Sequence, residues 1–398
     1  MWRSLVLTVD PAVPPISGAE LRNWQNAKAL SDFGQVRLVS FRPMHGPAQL
    51  SGDRIECVAL AEIHQQGGPP HTRRRSSIDV RITRSALARL TALVDEFKPD
   101  AILVEGIPLF PFLEYLRPLT PNLVLDMHNI ESDLGAQIER RTLSSRVFAE
   151  LTGGDAARIR KLEQQAVGIA DRVWVCSESD RQRLLRLYGG VAAVHVVPNG
   201  IPRPETIPDE LTQPPGKNNG WPIILFVGHL AYPPNVNAVH ALAHGVLPLV
   251  LADFPAARLI LGGRSPTEDI LALATRPGID LVANPEEVST LYTKAHLTVV
   301  PLVHAGGTRI KILEAMAHGL PVVATPLAVD GLELAEGTEV LVADDHRGLA
   351  DHVRSLCDDS RRSEALRRNA RRAVVERFGA AVIAAAVRNA IMPDGIEP

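Results

Sequence analysis

Cysteine is scarce in this chain: Cys57, Cys176 and Cys357 are the only three in 398 residues. They stand far apart, which excludes a disulfide-stapled scaffold and a CxxC metal knuckle; a reducing cytoplasm is the expected setting. Aromatic residues make up 4%, too few for the stacking platforms that bind single-stranded nucleic acid. The net charge is -3, from 42 basic and 45 acidic side chains, so the basic surplus of a phosphate-backbone binder is missing and nucleic acid is not an expected partner. No stretch reads as approaching the ~20 apolar residues that cross a bilayer. Met1–Asp10 has neither the long apolar core nor the small-residue cleavage site of a secretory signal. The thirteen histidines show no HExxH or paired-ligand spacing, and no structural zinc is expected.

What is present is an ordinary globular composition, 45% hydrophobic and 22% charged, long enough for two domains at roughly 100–200 residues each. Short β-branched runs alternate with helical patterns. Strands are expected at Ser4–Val9, Val36–Phe41, Ile55–Leu60, Ala101–Glu105, Leu123–Asp126, Arg172–Cys176 and Val194–Val197. Helices fall between several of them, at Gly18–Phe33, Arg84–Lys98, Glu131–Phe148, Asp155–Ala170 and Ser177–Tyr188. Continuous apolar strands interleaved with helices imply a parallel sheet covered on both faces. Pro198, Pro202, Pro204, Pro208, Pro214, Pro215 and Pro222 then break the pattern with a linker composition. The alternation restarts at Ile223–Val227, with further strands at Arg258–Leu261, Asp280–Val282, Leu297–Val300 and Val322–Ala324; Asp351–Ile391 looks helical throughout. The resulting division is 1–200, a linker 201–222, 223–375, and a terminal helical segment 376–398. Ligands of open parallel sheets lie beyond the strand C-terminal ends, so a cleft facing both halves is the expected site.

The most informative run is Ala305-Gly306-Gly307-Thr308-Arg309-Ile310-Lys311-Ile312-Leu313-Glu314-Ala315-Met316-Ala317-His318-Gly319. A strand leads into two glycines and a helix start, whose free amides and positive dipole end suit a phosphate. Lys311 and Glu314 lie about 60° apart on a helix and Arg309 and Lys311 about 200°, so both cations reach one anion only if Arg309 precedes the regular helix. A solvated Lys311–Glu314 ion pair is the plainer reading of the same spacing.

This run resembles the signature of glycosyltransferase family 4, the retaining group with the GT-B fold. Other segments agree in order along nearly the whole chain: Asp126-Met127-His128-Asn129-Ile130-Glu131, Val175-Cys176-Ser177-Glu178, Val196-Val197-Pro198-Asn199-Gly200-Ile201, and Phe226-Val227-Gly228 followed by Pro234-Asn235. The resemblance implies an α/β GT-B architecture, two Rossmann-like domains facing a central cleft, with the terminal helix crossing back to the first. It implies transfer of a sugar from a nucleotide-diphosphate donor to a carbohydrate, lipid-linked or other hydroxyl acceptor, with retention, in polysaccharide, glycolipid or glycoconjugate synthesis. No permanently bound cofactor and no metal are expected.

Carried over by position, Glu314 matches the family glutamate that binds the ribose hydroxyls, and the other family glutamate falls on Gly306, a departure. Gly228 matches the glycine closing the first C-domain strand. The family's following Arg and Lys fall on His229 and Asn235, so Arg309 and Lys311 are expected to compensate the diphosphate, with backbone from Gly306, Gly307 and Thr308. His128 matches the family histidine near the reacting carbon, and Asp126 and Glu131 are read as groups orienting it or capping the next helix. Gly18 occupies the first glycine-rich loop, with Arg22, one turn on, expected to face the phosphate. The cluster Arg73–Arg75, with Arg81 and Arg84, reads as a solvated loop or as a peripheral contact with an acidic membrane face. Alternatives are a sugar-nucleotide epimerase, a phosphorylase holding pyridoxal phosphate on Lys294 or Lys311, or a degenerate subunit that binds without turnover.

Overall fold

The computed structural model describes residues 1–13, 15, 17–42, 54–60, 84–135, 156–189, 193–211, 221–304, 306–307 and 309–392. The chain divides into two compact units, one of Met1–Asn199 together with the segment from Ala381 onward, the other of Gly200–Ala380.

The first unit is built on seven strands, β1 (Trp2–Thr8), β2 (Gly34–Ser40), β3 (Ile55–Ala59), β4 (Ala101–Glu105), β5 (Leu123–Met127), β6 (Arg172–Val175) and β7 (Ala193–Val196). Their order is β3-β2-β1-β4-β5-β6-β7, and every pairing is parallel. Ile102, Leu103 and Val104 of β4 and Leu123, Val124 and Leu125 of β5 are fully buried. Such strands read as unbroken apolar runs because helices cover both faces. The helix Gly18–Ser31 starts where Ser17 Oγ accepts the Glu20 N–H at 3.2 Å. The helix Ala380–Ile391 belongs to this core: Ile383, Val387 and Ile391 pack in one cluster with Trp174. There, Trp174 Nε1 donates to the Ala390 carbonyl and Asn122 Nδ2 to that of Ile391. Each such fully buried aliphatic side chain contributes about 1.5–3 kcal/mol.

The second unit repeats the scheme with β8 (Ile223–His229), β9 (Arg258–Arg264), β10 (Ile279–Ala283), β11 (Leu297–Val300), β12 (Val322–Ala324) and β13 (Leu341–Val342). Their order is β10-β9-β8-β11-β12-β13, again all parallel. One helical run, Pro233–Asp253, has 21 residues and a mean hydropathy of 1.3 over its best window, enough to cross a membrane by length and composition. This corrects the expectation that no stretch comes near that length. In the fold Ala238, Val239, Leu242, Val246, Leu247 and Val250 of this run sit in the core of the unit. It loosens into a π turn at Leu242–Val246, just before Pro248, which lacks the N–H that a regular turn needs.

Two further readings are refined. The described part of the proline-rich segment, up to Leu211, folds onto the second unit: the Ile201 N–H donates to the Phe378 carbonyl at 3.0 Å, and Ile201 and Ile207 pack on its core. The terminal helical stretch is three helices, His346–Asp358, Ser360–Phe378 and Ala380–Ile391. Asp345 caps the first by accepting the Gly348 N–H, and Asp359 caps the second by accepting that of Arg362.

Candidate functional site

In each sheet the chain winds outward in both directions from a central pair, β1/β4 in the first and β8/β11 in the second. The carboxyl ends beside that reversal are where a parallel sheet leaves room for a ligand.

In the second unit β8 ends in Gly228-His229, the helix beginning at Pro233 brings Asn235, and the helix Ile310–Ala317 brings Lys311 and Glu314. Lys311 Nζ lies 2.6 Å from Asn235 Oδ1 and 4.1 Å from the centroid of the Phe226 ring. Asn235 is locked in that orientation because its Nδ2 donates to the His229 carbonyl at 2.9 Å. Gly228 leaves room for this pair: a Cβ would fall 2.8 Å from Asn235 Nδ2 and 2.9 Å from Lys311 Nζ and push both side-chain ends aside. Among the described residues no carboxylate pairs with Lys311, and shielding from water lowers its pKa from 10.5 to about 7. The position where a family lysine was missing, Asn235, thus holds a lysine supplied from another helix.

Glu314 is buried, 5% exposed. It accepts a hydrogen bond from Tyr292 OH at 2.8 Å and one from Arg203 Nη1 at 3.3 Å. Burial pushes its pKa up, opposed by those two donors. Tyr292 in turn stacks on His318, centroids 4.7 Å apart and rings 8° from parallel. Burial brings His318 down to about 4, so its imidazole is neutral at pH 7. The plainer Lys311–Glu314 ion pair does not form; the two side chains have separate partners.

Arg309 departs from expectation. It does precede the regular helix, but its guanidinium is turned inward, where Nε donates to the Ala328 carbonyl at 2.9 Å and the other nitrogens to the carbonyls of Gly307 and Asp330. It pins the loop entering the helix, at a Gly307 with φ of 60°, and does not stand beside Lys311 on one anion. Gly306 is partly exposed in the same loop and His229 is exposed at the end of β8; Thr308 lies outside the described residues, as do Arg73–Arg75 and Arg81. Lys294, the other lysine considered for a pyridoxal imine, is on the surface.

In the first unit the carboxyl ends of β4 and β5 and the helix Gly18–Ser31 enclose a polar cluster. Arg22 is 1% exposed and lies across Asp126, with Nε to Oδ2 at 2.6 Å and Nη2 to Oδ1 at 2.7 Å; Nη1 donates to the Val197 carbonyl and to Asn199 Oδ1. Burial works against both charges, but their mutual attraction prevails, holding Arg22 above and Asp126 below their ordinary ranges. The expectation that Arg22 faces a phosphate is therefore corrected: four of its N–H groups are engaged inside the unit. Gly18 is exposed at the first turn of the same helix.

His128 Nε2 meets Glu105 Oε2 at 2.9 Å and lies 3.7 Å from Asp126 Oδ2. Asn26 Nδ2 bridges Glu105 Oε1 and Asp126 Oδ2, each at 3.0 Å, and the Asn23 amide satisfies its surroundings with its nitrogen turned to the cluster, 3.1 Å from both Glu105 Oε2 and His128 Nε2. Glu105, not Asp126, is thus the closer orienting partner of His128. Nor does Glu131 cap the next helix: Glu163 does so, accepting the Glu131 N–H at 2.7 Å. Glu105 had a legible signal, an acid closing a wholly apolar strand at its carboxyl end. Glu105, Asp126 and His128 offer donor atoms within 4.8 Å of one another, the spacing of a cation site, but Arg22 already spans both Asp126 oxygens and serves as the cation.

This pair of parallel sheets, each with its polar group at the winding reversal, defines a two-unit nucleotide-fold protein, and sequence comparison identifies the family. The family model described as "Glycosyl transferase 4-like domain" matches residues 17–200, and that described as "Glycosyl transferases group 1" matches residues 221–359; the chain belongs to the family 4-type, group 1 glycosyltransferases. Among curated relatives, glycogen synthase of Mycobacterium tuberculosis is 28% identical over 255 residues, 59% of this chain and 57% of the relative. The D-inositol 3-phosphate glycosyltransferase of Corynebacterium kroppenstedtii is 28% identical over 234 residues, 53% of this chain and 51% of the relative. The chain spans little more than half the length of these relatives. Among solved structures, sucrose-phosphate synthase of Thermosynechococcus elongatus matches with a TM-score of 0.75 at 17% identity over 98% of both chains. Anabaena HepE, solved with UDP and glucose, matches with 0.67 at 16% identity over 96% of this chain and 98% of that one. These likenesses establish the fold, and the GT-B class expected from the sequence is borne out.

Proposed function

We propose that the chain transfers a sugar from a nucleoside-diphosphate sugar to an acceptor hydroxyl, with retention of configuration and without a divalent ion. The observation that carries the reading is Lys311: a shielded ammonium at the winding reversal of the second sheet, held by a neutral amide and an aromatic face rather than by a carboxylate. A cation kept at that cost to the empty protein suits a ligand that brings two phosphates, each charge-assisted contact contributing about 1.5–3 kcal/mol. Glu314, on the same helix, supplies two carboxylate oxygens for a vicinal diol such as ribose. The UDP and glucose bound by Anabaena HepE support this donor class. Catalysis then consists of positioning the reactants and stabilising the departing diphosphate, while His128 offers a hydrogen-bonding group to a substrate hydroxyl.

The test is calorimetry with UDP, GDP, ADP and their sugar conjugates, followed by product analysis with carbohydrate and lipid-linked acceptors by NMR. Binding of one diphosphate series and an anomeric signal matching the donor's are expected, unchanged by EDTA. Absence of heat for every nucleotide overturns the reading; binding without turnover on any acceptor points to the subunit that binds only.

A further inference from the structure

The cluster around His128 holds more than a lone histidine requires. Arg22 offsets one of the two buried carboxylates, Asp126 and Glu105, leaving one negative charge over. Glu105 has no other cation within ion-pair reach among the described residues; Asn26 donates to it, His128 Nε2 meets it, and it shares a hydrogen bond with Asp126. The Asn23 amide, turned so that its nitrogen faces the pair, reaches both Glu105 Oε2 and His128 Nε2 at 3.1 Å. Nothing among the described residues bonds His128 Nδ1, and the side chain keeps 18% of its surface exposed. We propose that Glu105 is the positioning residue of His128: it retains one proton on the Glu105–His128 pair, so that the imidazole presents Nδ1–H outward as a donor to a substrate hydroxyl.

The chemistry is a matter of counting hydrogens. With the extra proton on the ring, both nitrogens carry hydrogen, Nε2–H facing Glu105. With the proton on Glu105 Oε2, the oxygen facing the ring, the O–H donates to Nε2 and the ring hydrogen sits on Nδ1. Either way Nδ1 donates. When the pair loses the proton, Nε2–H stays on the carboxylate and Nδ1 becomes an acceptor. The charged and titratable groups facing the pair are Asp126 from β5, Arg22 from the helix Gly18–Ser31, Cys176 after β6 and Glu131 following His128. Burial, then Asp126, raises Glu105 to about 7. Burial alone would lower His128, but the hydrogen bond from Glu105 and the charge of Asp126 raise it. The donor form therefore spans the acid and neutral range.

The use of this donor rests on the glycosyl-transfer reading; its existence does not, and ligand-free protein tests it. Ring-15N histidine NMR follows His128, assigned by its loss in His128→Asn. The wild type is expected to carry hydrogen on Nδ1 at pH 6, in a doubly protonated or a neutral Nδ1–H ring, and to show an Nε2–H tautomer at high pH. Glu105→Gln, whose amide donates to Nε2, is expected to show a neutral Nδ1–H ring throughout. With a working donor and acceptor, wild-type kcat is expected to fall about tenfold per pH unit above the apparent pKa of the pair, and Glu105→Gln to lose that fall. A wild-type ring with no hydrogen on Nδ1 at pH 6, or the same tautomer in both proteins at high pH, overturns the proposal; a purely structural glutamate would not invert the tautomer. The wild-type titration stands even if the variant does not fold, and failure to find transfer bears on the proposed function alone.

Discussion

Replacing Lys311 by methionine, which keeps the length and loses the charge, separates what the ammonium does to the empty protein from what it does for a bound anion. Shielding from water takes Lys311 from 10.5 to about 7; at 1.36 kcal/mol per pH unit this corresponds to about 5 kcal/mol, an upper bound for a side chain that keeps some contact with solvent. A lysine with a depressed pKa binds fewer protons in the folded than in the unfolded chain between about 7 and 10.5, so stability rises with pH across that window. Below about 7 the folded protein bears the whole penalty. Lys311→Met is therefore expected to unfold at a higher temperature than the wild type at pH 6, the difference shrinking to nothing by pH 10.5. Donor binding moves the other way: loss of one charge-assisted contact, about 1.5–3 kcal/mol, weakens UDP roughly 10–150-fold. Calorimetry at pH 8 in two buffers of different ionisation heat adds a third readout. The diphosphate restores the ammonium, so the wild type takes up about one proton on binding and the variant none. A variant less stable than the wild type at pH 6, or one that binds UDP as tightly, refutes the reasoning.

Gly228→Ala is expected to fold, yet the new Cβ, 2.8 Å from Asn235 Nδ2 and 2.9 Å from Lys311 Nζ, displaces that pair; UDP affinity measured by calorimetry falls about tenfold, or 1.4 kcal/mol. Glu314→Gln keeps the shape and removes the charge that Arg203 and the ribose diol would share. Competition binding is expected to show UDP weakened about tenfold with inorganic pyrophosphate unaffected; equal losses for both would place Glu314 on the phosphates. Arg22→Met leaves Asp126 and Glu105 buried without their cation, and urea unfolding is expected to show a loss of about 3–5 kcal/mol. A smaller loss would mean that water enters the cluster.

The strands were legible because parallel strands covered on both faces must be apolar throughout. Ala101–Glu105 and Leu297–Val300 read directly from their runs of Val, Leu and Ile. β13 was not, since two residues, Leu341–Val342, carry no pattern. The break at Asp359 was hidden because a capping aspartate inside an arginine-rich helical stretch resembles another surface charge.

The direction of a long side chain is a different kind of information. Arg22 and Arg309 each follow a glycine-bearing loop at a helix start, where a cation next to a phosphate is chemically sensible, and in both the guanidinium turns inward. Arg22 has Asp126 to pair with, and Arg309 has the carbonyls of Gly307, Ala328 and Asp330. Asp126, Ala328 and Asp330 come from elements remote in sequence, so helix spacing cannot announce them. Lys311 lies in the first turn of the helix that Arg309 precedes and, among the described residues, meets a neutral amide and a ring face. A guanidinium with a full set of internal acceptors supports the fold; an ammonium with no carboxylate partner among the described residues is left with charge to offer. That difference in what surrounds each cation, invisible in the residue types, is the physical reason for assigning the diphosphate to Lys311 alone among the three.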